Sequence, residues 1–432
     1  MLVTILPNQS LPETADLSMI PGDKSISHRL ALLCALSHGS TTIYNFLRSD
    51  DCLNTVAIIQ QLGVSVTDTG TAITIHGVGL HGLRASRTPL NVGNSGTAIR
   101  LLTGLLAAQS FSSTITGDTS IQSRPMARVT QPLIKMGAII DSEYAPLHIS
   151  GGGSLLGIDY TLPMPSAQVK SALLFAGLYA NGPTTIHEPI VCRDHTERLF
   201  KHFGVPLTQA PARTTVTPPE NFTAPRDPFS VPNDLSSAIF FMALGLLRQK
   251  SWTFDAIGVN PTRRAGLDHL MAMGGIIHSV PTTQTTEPTA QISLQPSTLS
   301  HAPIAAESVA NLIDEIPILA ITTLCAGHPF HIRNAAELLV KESDRLATIA
   351  QLAQALGAHV QEHPDGLDID PPLKFLNFEY DCQFDHRLAM SAIVAALATG
   401  VRATIHGCES IRTSFPSFFA LLDTLHVAYT ID

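Results

Sequence analysis

The stretch Met136-Gly137-Ala138-Ile139-Ile140 decides the fold, because its pattern recurs along the chain. In each copy, an amphipathic helical segment ends in a bulky residue that is followed by glycine and then by an apolar residue. A glycine just past a helix can adopt the left-handed conformation that closes the last turn, and apolar alternation after it indicates a strand returning along the helix. The other copies are Leu62-Gly63-Val64, Phe203-Gly204-Val205, Met273-Gly274-Gly275, Leu356-Gly357-Ala358 and a degenerate Leu425-His426-Val427, which lacks the glycine.

The spacing of the copies is roughly seventy residues, which is longer than a solenoid repeat and predicts a small αβ subdomain for each copy. Any one glycine-capped helix is common in a large α/β protein, so the interpretation depends on the number of regular copies. A chain of 432 residues is also too long for one ordinary core. The sequence therefore predicts six helix-glycine-strand units in an α/β protein of more than one domain.

Composition limits the possible classes of function. Hydrophobic residues make up 44% and charged residues 14% of the chain, which is typical of a well-buried globular protein. Apolar runs such as Ile316 to Leu324 are much shorter than the ~20 residues of a membrane span. Met1 to Ser10 has no basic segment before an apolar one, so a secretory signal is not expected. We expect a soluble, cytoplasmic protein that does not bind membranes.

Charge and metal-ligand patterns narrow the partners further. The net charge of -9 disfavours nucleic acid, because phosphate backbones are bound by broad basic surfaces. The six cysteines occur singly, without a CxxC pair, and are read as reduced thiols. The 18 histidines include no HExxH motif and no Cys/His ligand cluster, so no metal site is predicted. A small anionic ligand remains possible if the cations are clustered.

Two segments in the first quarter of the chain resemble anion sites. In Pro21 to Arg29, a turn leads into an apolar helix, and Ser25 and Arg29 are spaced to share one face near the helix N-terminus. In Gly93 to Arg100, Gly96 would let backbone amides approach an anion at a helix start. A capped helix with solvated charges, or a plain strand-to-helix turn, is the alternative for each. The spacing of a nucleotide-binding P-loop is absent.

Five later segments also place polar or charged residues at helix starts. Pro125 suits a first helical position, which would put Arg124 at the helix entrance. Ser166 is explained by capping, but Gln168 and Lys170 beside it are not. Two carboxylates lie in the apolar stretch Leu312 to Pro317, and burial of a carboxylate is costly unless it is paired or used. Lys341 and Arg345 would share one side if helical, and Asp385 is a predicted N-cap before Arg387.

Nine cations thus lie at subdomain starts in an acidic chain, which indicates a polyanionic small ligand. They are Lys24, Arg29, Arg100, Arg124, Arg128, Lys170, Lys341, Arg345 and Arg387.

These segments, in this order, resemble the motifs of 5-enolpyruvylshikimate-3-phosphate synthases from Pro21 to about Pro416. The specific motifs are PGDKSISHR, GNSGTAIRLL, SRPMAR, SAQVKSALLFAGL, DHTERL, LIDEIPILA, VKESDR and DHRLAM. The resemblance implies an α/β fold of two similar domains, each with three βαβαββ repeats of the inside-out α/β barrel type, closing on substrate. It implies that residues 1–19 and 237–432 form one domain and residues 20–236 the other.

The resemblance also implies a reaction and its residues. The enolpyruvyl group of phosphoenolpyruvate would move to the 5-hydroxyl of shikimate 3-phosphate, with no cofactor, in a monomer. Asp314 would be the base on that hydroxyl, and Glu342 and Lys24 would exchange protons at the enol methylene. Phosphoenolpyruvate would be held by Lys24, Gly96, Arg124, Gln168, Arg345 and Arg387, and shikimate 3-phosphate by Lys24, Ser25, Arg29, Ser166, Ala167, Gln168, Asp314 and Lys341. Glyphosate would compete with phosphoenolpyruvate and extend slightly further toward the Asn94 to Thr97 turn.

The sequence departs from the family pattern at two positions. Cys192 stands where the family usually has a serine expected to touch the substrate phosphate, and a thiol is a weaker donor. Thr413 stands where one class has a phosphate-binding lysine, and we assign it no role.

Three rival functions are disfavoured by the sequence. UDP-N-acetylglucosamine enolpyruvyl transferase typically carries a cysteine in the loop corresponding to Gly117 to Arg128, and this loop has none. RNA 3'-phosphate cyclase would need a basic RNA surface. A non-catalytic binding protein of the same fold would not require Lys24, Asp314 and Glu342 together.

Overall fold

A computed structural model describes residues 1–432, which form two compact units. The inserted unit is Gly22–Val231, and the split unit is Met1–Pro21 together with Pro232–Asp432. The domain boundaries after residues 19 and 236 that the sequence suggested stay a prediction.

The chain begins with two strands of the split unit, β1 (Leu2–Ile5) and β2 (Thr14–Asp16). The inserted unit follows as three consecutive repeats. Its elements are α1 (Lys24–Leu36), β3 (His38–Tyr44), α2 (Asp50–Gln61), β4 (Ser65–Asp68), β5 (Ala72–Val78); β6 (Leu90–Asn91), α3 (Gly96–Leu106), β7 (Ser113–Thr116), α4 (Thr119–Ser123), α5 (Ala127–Lys135), β8 (Ile139–Ile140), β9 (Leu147–Ser150); β10 (Asp159–Thr161), α6 (Ala167–Gly177), β11 (Thr184–His187), α7 (His195–His202), β12 (Leu207–Ala210), β13 (Arg213–Val216) and β14 (Phe229–Ser230).

The rest of the split unit repeats this order. Its elements are α8 (Leu235–Leu247), β15 (Ser251–Gly258), α9 (Ala265–Ala272), β16 (Ile276–Thr283), β17 (Thr289–Gln295); α10 (Val309–Leu312), α11 (Ile316–Cys325), β18 (Phe330–Ile332), α12 (Arg345–Ala355), β19 (His359–His363), β20 (Gly366–Asp370); β21 (Phe378–Asp381), α13 (His386–Thr399), β22 (Ala403–His406), α14 (Phe418–Thr424) and β23 (Tyr429–Ile431). Short 3-10 helices span Ala306–Ser308, Ala336–Val340 and Cys408–Thr413.

Each unit contains three sheets, one per repeat. The inserted unit has the orders β14-β3-β5-β4, β6-β7-β9-β8 and β10-β11-β13-β12, and the split unit has β16-β17-β15-β2, β18-β20-β19 and β21-β22-β1-β23. Each four-stranded sheet has one parallel pair, which joins an edge strand to its neighbour, and its other pairs are antiparallel. The α/β class with three repeats in each unit is therefore confirmed.

Where the chain passes from one unit to the other, a sheet includes a strand from a distant part of the sequence. β2 lies just before the chain enters the inserted unit, yet it pairs with β15 of the split unit. β14 lies at the end of the inserted unit and pairs with β3. In the split unit, β1 lies between β22 and β23, so the sixth repeat is built from both terminal regions of the chain.

One helix of every repeat is buried on all sides and forms the core of its unit. These helices are α1, α3 and α6 in the inserted unit and α8, α11 and α13 in the split unit. α3 and α6 approach closely at Gly104, where a Cβ atom would lie 2.1 Å from the carbonyl oxygen of Ala172. Only glycine allows this approach. No single helix is long and apolar enough to cross a membrane; one pair, Ala306–Leu312 with Ile316–Cys325, passes that test only when taken together across a 112° bend.

The glycines that marked the repeats follow the ends of five helices, as predicted; these are α2, α5, α7, α9 and α12. Gly63, Gly137, Gly204, Gly274 and Gly357 have φ values of +95°, +105°, +73°, +95° and +95°. In the degenerate sixth copy, His426 takes the same conformation with a φ of +57°. A residue with a Cβ atom is strained there, because the left-handed conformation brings Cβ close to the carbonyl oxygen that follows.

We expect His426→Gly to stabilise the split unit by about 0.5–1 kcal/mol, since it removes this strain at a partly offsetting cost in unfolded-chain entropy. The midpoint of urea unfolding should rise. His426→Ala is the matched control, because it removes the imidazole and keeps the Cβ. An equal gain in the alanine variant would show that the ring, and not the backbone, is the source of the strain.

Candidate active site

The N-termini of α1, α3 and α6 meet in the inserted unit. Asp23, Ser95 and Ser166 cap these helices by accepting backbone N–H groups at 2.8, 3.1 and 3.4 Å. The side chain of Gln168 joins the helices, because its Nε2 donates to Thr97 Oγ1 at 2.8 Å and its Oε1 accepts from Arg29 at 3.2 Å. We call this region the inserted-unit cluster; its predicted site residues are Lys24, Ser25, Arg29, Gly96, Arg124, Ser166, Ala167 and Gln168.

Arg29 is buried and bound by protein oxygens from three helices. Its Nε donates to Thr196 Oγ1 at 2.7 Å, and its Nη2 donates to Ser171 Oγ at 2.8 Å. Its Nη1 donates to the carbonyl oxygen of Ser25 at 3.0 Å. The guanidinium therefore holds α1, α6 and α7 together.

Lys24 is the first residue of α1, and its Nζ forms a salt bridge with Asp51 of α2. Its side chain is 19% exposed, whereas that of Asp51 is 4% exposed. The next turn of α1 contains His28, whose ring contacts Thr55 Oγ1 at 2.7 Å and Ser95 Oγ at 3.2 Å. Burial, and then the charges of Lys24 and Arg29, lower the pKa of His28 well below its ordinary value. A neutral histidine on α1 therefore contacts α2 and the cap of α3 without adding a charge.

Gly96 is the first residue of α3, and its φ lies outside the left-handed range. A Cβ atom at this position would lie 2.7 Å from Arg100 Nη1 and 2.8 Å from Arg124 Nη1. The space beside Gly96 is therefore limited by two neighbouring guanidinium groups, and its own backbone does not demand glycine. The left-handed residue of this turn is Gly93, with a φ of +63°.

Arg124 lies between two helices, and the prediction that Pro125 opens a helix is wrong. α4 ends at Ser123 and α5 begins at Ala127 after Met126, so Pro125 precedes the helix. The short α4 ends because Pro125 restricts the residue before it to extended backbone, and Arg124 has a ψ of 130°. Its Nη2 donates to Ser120 Oγ at 3.0 Å and to Asn94 Oδ1 at 3.2 Å, which directs the guanidinium toward the start of α3.

Lys170 does not face a ligand but is completely buried between two carboxylates. Its Nζ lies 2.9 Å from Glu188 Oε1 and 2.7 Å from Glu197 Oε1. Burial lowers the pKa of Lys170, but the two carboxylates outweigh it and the net pKa is raised. Burial raises the pKa of Glu197 against the opposing effect of Lys170. The inclusion of Lys170 among ligand-facing cations was therefore wrong, because its charge is neutralised within the protein.

The backbone of Cys192 forms hydrogen bonds with two of these buried charged side chains, Glu188 and Lys170. Its N–H donates to Glu188 Oε1 at 3.0 Å, and its carbonyl oxygen accepts from Lys170 Nζ at 3.4 Å. The thiol donates to the carbonyl oxygen of Ile190 at 3.5 Å, and burial raises its pKa to about 12. Cys192 is therefore a neutral thiol in a loop whose backbone is fixed by buried charges.

The split unit has a second cluster, where the N-termini of α11, α12 and α13 meet. Arg345 is at its centre and is 1% exposed. Its Nε donates to Asp385 Oδ2 at 2.7 Å, its Nη2 donates to Glu342 Oε2 at 2.6 Å, and its Nη1 lies 3.7 Å from Asp314 Oδ1. Burial lowers the pKa of Arg345, but the carboxylates outweigh it and the pKa is raised. We call this region the split-unit cluster.

Lys341 and Arg345 are not on one helix, so the condition under which they were expected to share one side is not met. Lys341 follows the 3-10 helix Ala336–Val340 with extended backbone, and α12 begins only at Arg345 because Asp344 caps it by accepting from Ala347 N at 3.1 Å. Lys341 Nζ nevertheless lies 3.9 Å from Asp314 Oδ1 and donates to Glu337 Oε1 at 3.0 Å. Two cations therefore face the Asp314 carboxylate.

The two neighbouring carboxylates Asp314 and Glu315 differ in burial. The side chain of Asp314 is 18% exposed, and that of Glu315 is 2% exposed. Glu315 receives two hydrogen bonds from Arg263, at 3.0 and 3.1 Å. Arg387 Nη1 donates to the carbonyl oxygen of Asp314 at 2.7 Å, and Asp385 caps α13 as predicted. The partly exposed Asp314, together with Glu342, can exchange a proton with a bound ligand, whereas Glu315 is held within the protein.

The comparisons with known proteins decide the family. Residues 14–422 match the description EPSP synthase (3-phosphoshikimate 1-carboxyvinyltransferase). The chain belongs to the EPSP synthase family. Its relatives include the 3-phosphoshikimate 1-carboxyvinyltransferases of Solibacter usitatus, at 43% identity over 94% of this chain and 96% of the relative, and of Methylococcus capsulatus, at 44% identity over 94% of each chain. Among solved structures, the EPSP synthase of Acinetobacter baumannii matches with a TM-score of 0.86 and 37% identity, covering 100% of this chain and 99% of the other.

Membership of the EPSP synthase family confirms the resemblance drawn from the motifs. The structure places eight of the predicted site residues in the inserted-unit cluster and Asp314, Lys341, Glu342, Arg345 and Arg387 in the split-unit cluster. The ligand assigned to each residue stays a prediction. No group of three or more His, Cys, Asp or Glu side chains is arranged to hold a metal ion.

The sequence did not indicate the side-chain partners of these residues or of neighbouring Glu315. They include Asp51 on Lys24, Thr196 on Arg29 and Arg263 on Glu315. Only Asp385 had a local signal, because an N-cap position is recognisable before an apolar helix.

Proposed function

We propose that this protein transfers the enolpyruvyl group of phosphoenolpyruvate to the 5-hydroxyl of shikimate 3-phosphate and releases phosphate. The observation that supports the proposal most directly is the pair of partly exposed carboxylates, Asp314 and Glu342, on either side of buried Arg345 in a chain of this family. Transfer of this group needs a base at the hydroxyl and a proton donor at the methylene carbon, and two carboxylates held in place by cations can supply both.

In the proposed reaction, Asp314 takes the proton of the 5-hydroxyl as that oxygen attacks C2 of phosphoenolpyruvate. The methylene carbon C3 gains a proton at the same stage, which gives a tetrahedral intermediate. Loss of a C3 proton then expels phosphate from C2 and restores the double bond. We assign the two proton transfers at C3 to Glu342 and Lys24.

The contacts of these groups suit their proposed roles. Arg345 Nη2 donates to Glu342 Oε2 at 2.6 Å, which fixes the carboxylate while leaving the side chain 18% exposed. Lys24 is held by Asp51 at the start of α1. Lys341 and Arg345 stand 3.9 and 3.7 Å from Asp314 Oδ1, so both can also stabilise negative charge on a nearby substrate.

The remaining assignments give each substrate its own set of binding residues. We propose that phosphoenolpyruvate is bound by Lys24, Gly96, Arg124, Gln168, Arg345 and Arg387. We propose that shikimate 3-phosphate is bound by Lys24, Ser25, Arg29, Ser166, Ala167, Gln168, Asp314 and Lys341. Most of these side chains already have protein partners, so binding would add to those contacts or exchange them; they include Lys24, Arg29, Ser166, Gln168, Asp314 and Lys341.

The test is phosphate release from phosphoenolpyruvate by the purified protein, with and without shikimate 3-phosphate. We expect release only with shikimate 3-phosphate. Release with UDP-N-acetylglucosamine instead, or binding of both compounds without any release, would overturn the proposal.

We also propose that the protein acts in the cytoplasm as a monomer and uses neither cofactor nor metal.

Gly96→Ala should weaken inhibition by glyphosate at least about tenfold, the factor that corresponds to ~1.4 kcal/mol, with a smaller rise in the KM for phosphoenolpyruvate. The added methyl group would meet the ends of Arg100 and Arg124, which are flexible and can shift by tenths of an ångström. Glyphosate, expected to reach further toward Asn94 to Thr97, would lose the space that the methyl group and the displaced guanidinium take. Inhibition constants and KM on the purified variant give the comparison.

Gly93→Ala is the informative control, because Gly93 is the left-handed residue of the turn. Strain there should affect substrate and inhibitor alike. Equal losses of substrate and inhibitor affinity in Gly96→Ala would contradict the steric explanation.

A further inference from the structure

Glu315 is a buried carboxylate beside the proposed base, and the proposed reaction does not use it. Its Oε2 accepts from Arg263 Nη1 at 3.1 Å, and its Oε1 accepts from Arg263 Nη2 at 3.0 Å. Its Oε1 also accepts from the hydroxyl of Ser236 at the start of α8. The paired contact between the two Nη groups of Arg263 and the two carboxylate oxygens of Glu315 is the strongest arrangement open to an arginine and a carboxylate. Glu315 is thus held from two sides.

The third neighbour of Glu315 is Arg387. Its Nη1 lies 3.7 Å from Glu315 Oε1 but donates at 2.7 Å to the carbonyl oxygen of Asp314. Arg387 therefore forms only a long ion pair with Glu315, whose two oxygens already accept hydrogen bonds from Arg263. Its short contact instead fixes the backbone of the residue that carries the proposed base.

The packing around Glu315 leaves little freedom for its side chain. On α9, a Cβ atom at Gly266 would lie 3.0 Å from Glu315 Cγ, so the helix backbone lies directly against the aliphatic part of the side chain. Arg263 is positioned by the turn before α9, where its N–H donates to the carbonyl oxygen of Asn260 at 2.8 Å. The position of the Glu315 carboxylate is thus set by α9 and its preceding turn.

We propose that Arg263 and Glu315 form a positioning pair that sets the place of the Arg387 guanidinium and, through it, the backbone of Asp314. The inference rests on the proposed function, in which Arg387 binds phosphoenolpyruvate. Arg263 acts by balancing the charge of Glu315 and donating hydrogen bonds to both of its carboxylate oxygens. Without it, a buried carboxylate would remain beside Arg387, and the two would close their 3.7 Å separation into a direct pair. Arg387 would then be withdrawn from its substrate.

The first variants are Arg263→Met and its matched control Arg264→Met. Arg264 is the next residue, but its guanidinium pairs with Asp268 at 2.7 Å on the exposed side of α9. In Arg263→Met we expect the KM for phosphoenolpyruvate to rise about tenfold, the factor for one lost charge-assisted contact, while the dissociation constant of shikimate 3-phosphate changes less than about twofold. Arg264→Met should resemble the parent in both.

The decisive variant is the double change Arg263→Met with Glu315→Gln. Because the glutamine no longer attracts Arg387, the KM for phosphoenolpyruvate should return from the tenfold rise to about the value of Glu315→Gln alone, which we expect about threefold above the parent. A purely structural role predicts that recovery in the double variant appears in the free energy of unfolding, with no matching change in the KM for phosphoenolpyruvate. Thermal unfolding of each variant verifies that it is folded.

Each outcome of this experiment has a clear meaning. An active parent whose Arg263→Met variant keeps the parental KM, or whose double variant is worse than Arg263→Met, would overturn the positioning pair and leave the proposed function intact. If Arg263→Met does not fold, Glu315→Gln decides, and an unchanged KM for phosphoenolpyruvate in that variant would overturn the inference. A parent without phosphate release would overturn the function and the inference together.

Discussion

Asp314→Asn and Glu342→Gln should each lower turnover by about 10²–10⁴-fold, the usual worth of a general acid or base. Both changes keep the side-chain volume and remove the group that takes up or gives a proton. The fold should be preserved, because both side chains are partly exposed and the amide oxygen in Glu342→Gln can still accept the hydrogen bond that Arg345 donates to Glu342. Turnover at saturating concentrations of both substrates is the measurement.

Glu337→Gln is the matched control for these variants. Glu337 also contacts a cation of the split-unit cluster, Lys341 at 3.0 Å, but has no proposed part in proton transfer. We expect its turnover to stay within about threefold of the parent, as for other partly exposed ion pairs. Near-normal turnover in Asp314→Asn and Glu342→Gln would remove both carboxylates from the mechanism.

Lys170→Met should be the most destabilising single change at a charged residue of the inserted unit, at about 3–5 kcal/mol, because it leaves two buried carboxylates without their cation. The side chain of Lys170 is 1% exposed, and those of Glu188 and Glu197 are 4% and 1% exposed. The midpoint of urea unfolding at pH 8 measures the loss. Lys201→Met is the control, because Lys201 is an exposed lysine of α7.

The loss in Lys170→Met should shrink as the pH falls. Burial already raises the pKa of Glu197 above its ordinary value of 4.5, and removal of Lys170 raises it further. A carboxyl group with a raised folded-state pKa stabilises the fold when protonated, so stability is gained as the pH falls toward its unfolded-state pKa. The difference in unfolding midpoint between Lys170→Met and the parent should therefore be smaller at pH 6 than at pH 8. A constant difference would indicate lost packing rather than unpaired charge.

The repeats were predictable because their signals are local. A glycine such as Gly137 follows its helix directly, and its φ of +105° is a conformation that glycine adopts readily. Helix caps such as Asp385 are equally local, since the capping oxygen and the N–H it binds lie on the same short segment. These signals depend on neighbours along the chain and remain readable without the fold.

The partners of the charged residues were not predictable, because they come from other helices. Lys170 looked like a cation near a helix start, yet Glu188 and Glu197 lie on a later loop and on α7. Glu315 looked as suitable for proton transfer as Asp314 until the structure placed Arg263 on it. Only the topology of the repeats brings these side chains together, and spacing in the sequence does not encode it.

The place of β1 between β22 and β23 has a consequence for the order in which the protein folds during synthesis. The inserted unit is one continuous stretch, so all of its sheets can form once Val231 has left the ribosome. The sixth sheet cannot, because Leu2–Ile5 must wait for Ala403–His406 and Tyr429–Ile431. Although β1 precedes the inserted unit in the chain, it stays unpaired until β22 and β23 have been made, well after the inserted unit can fold.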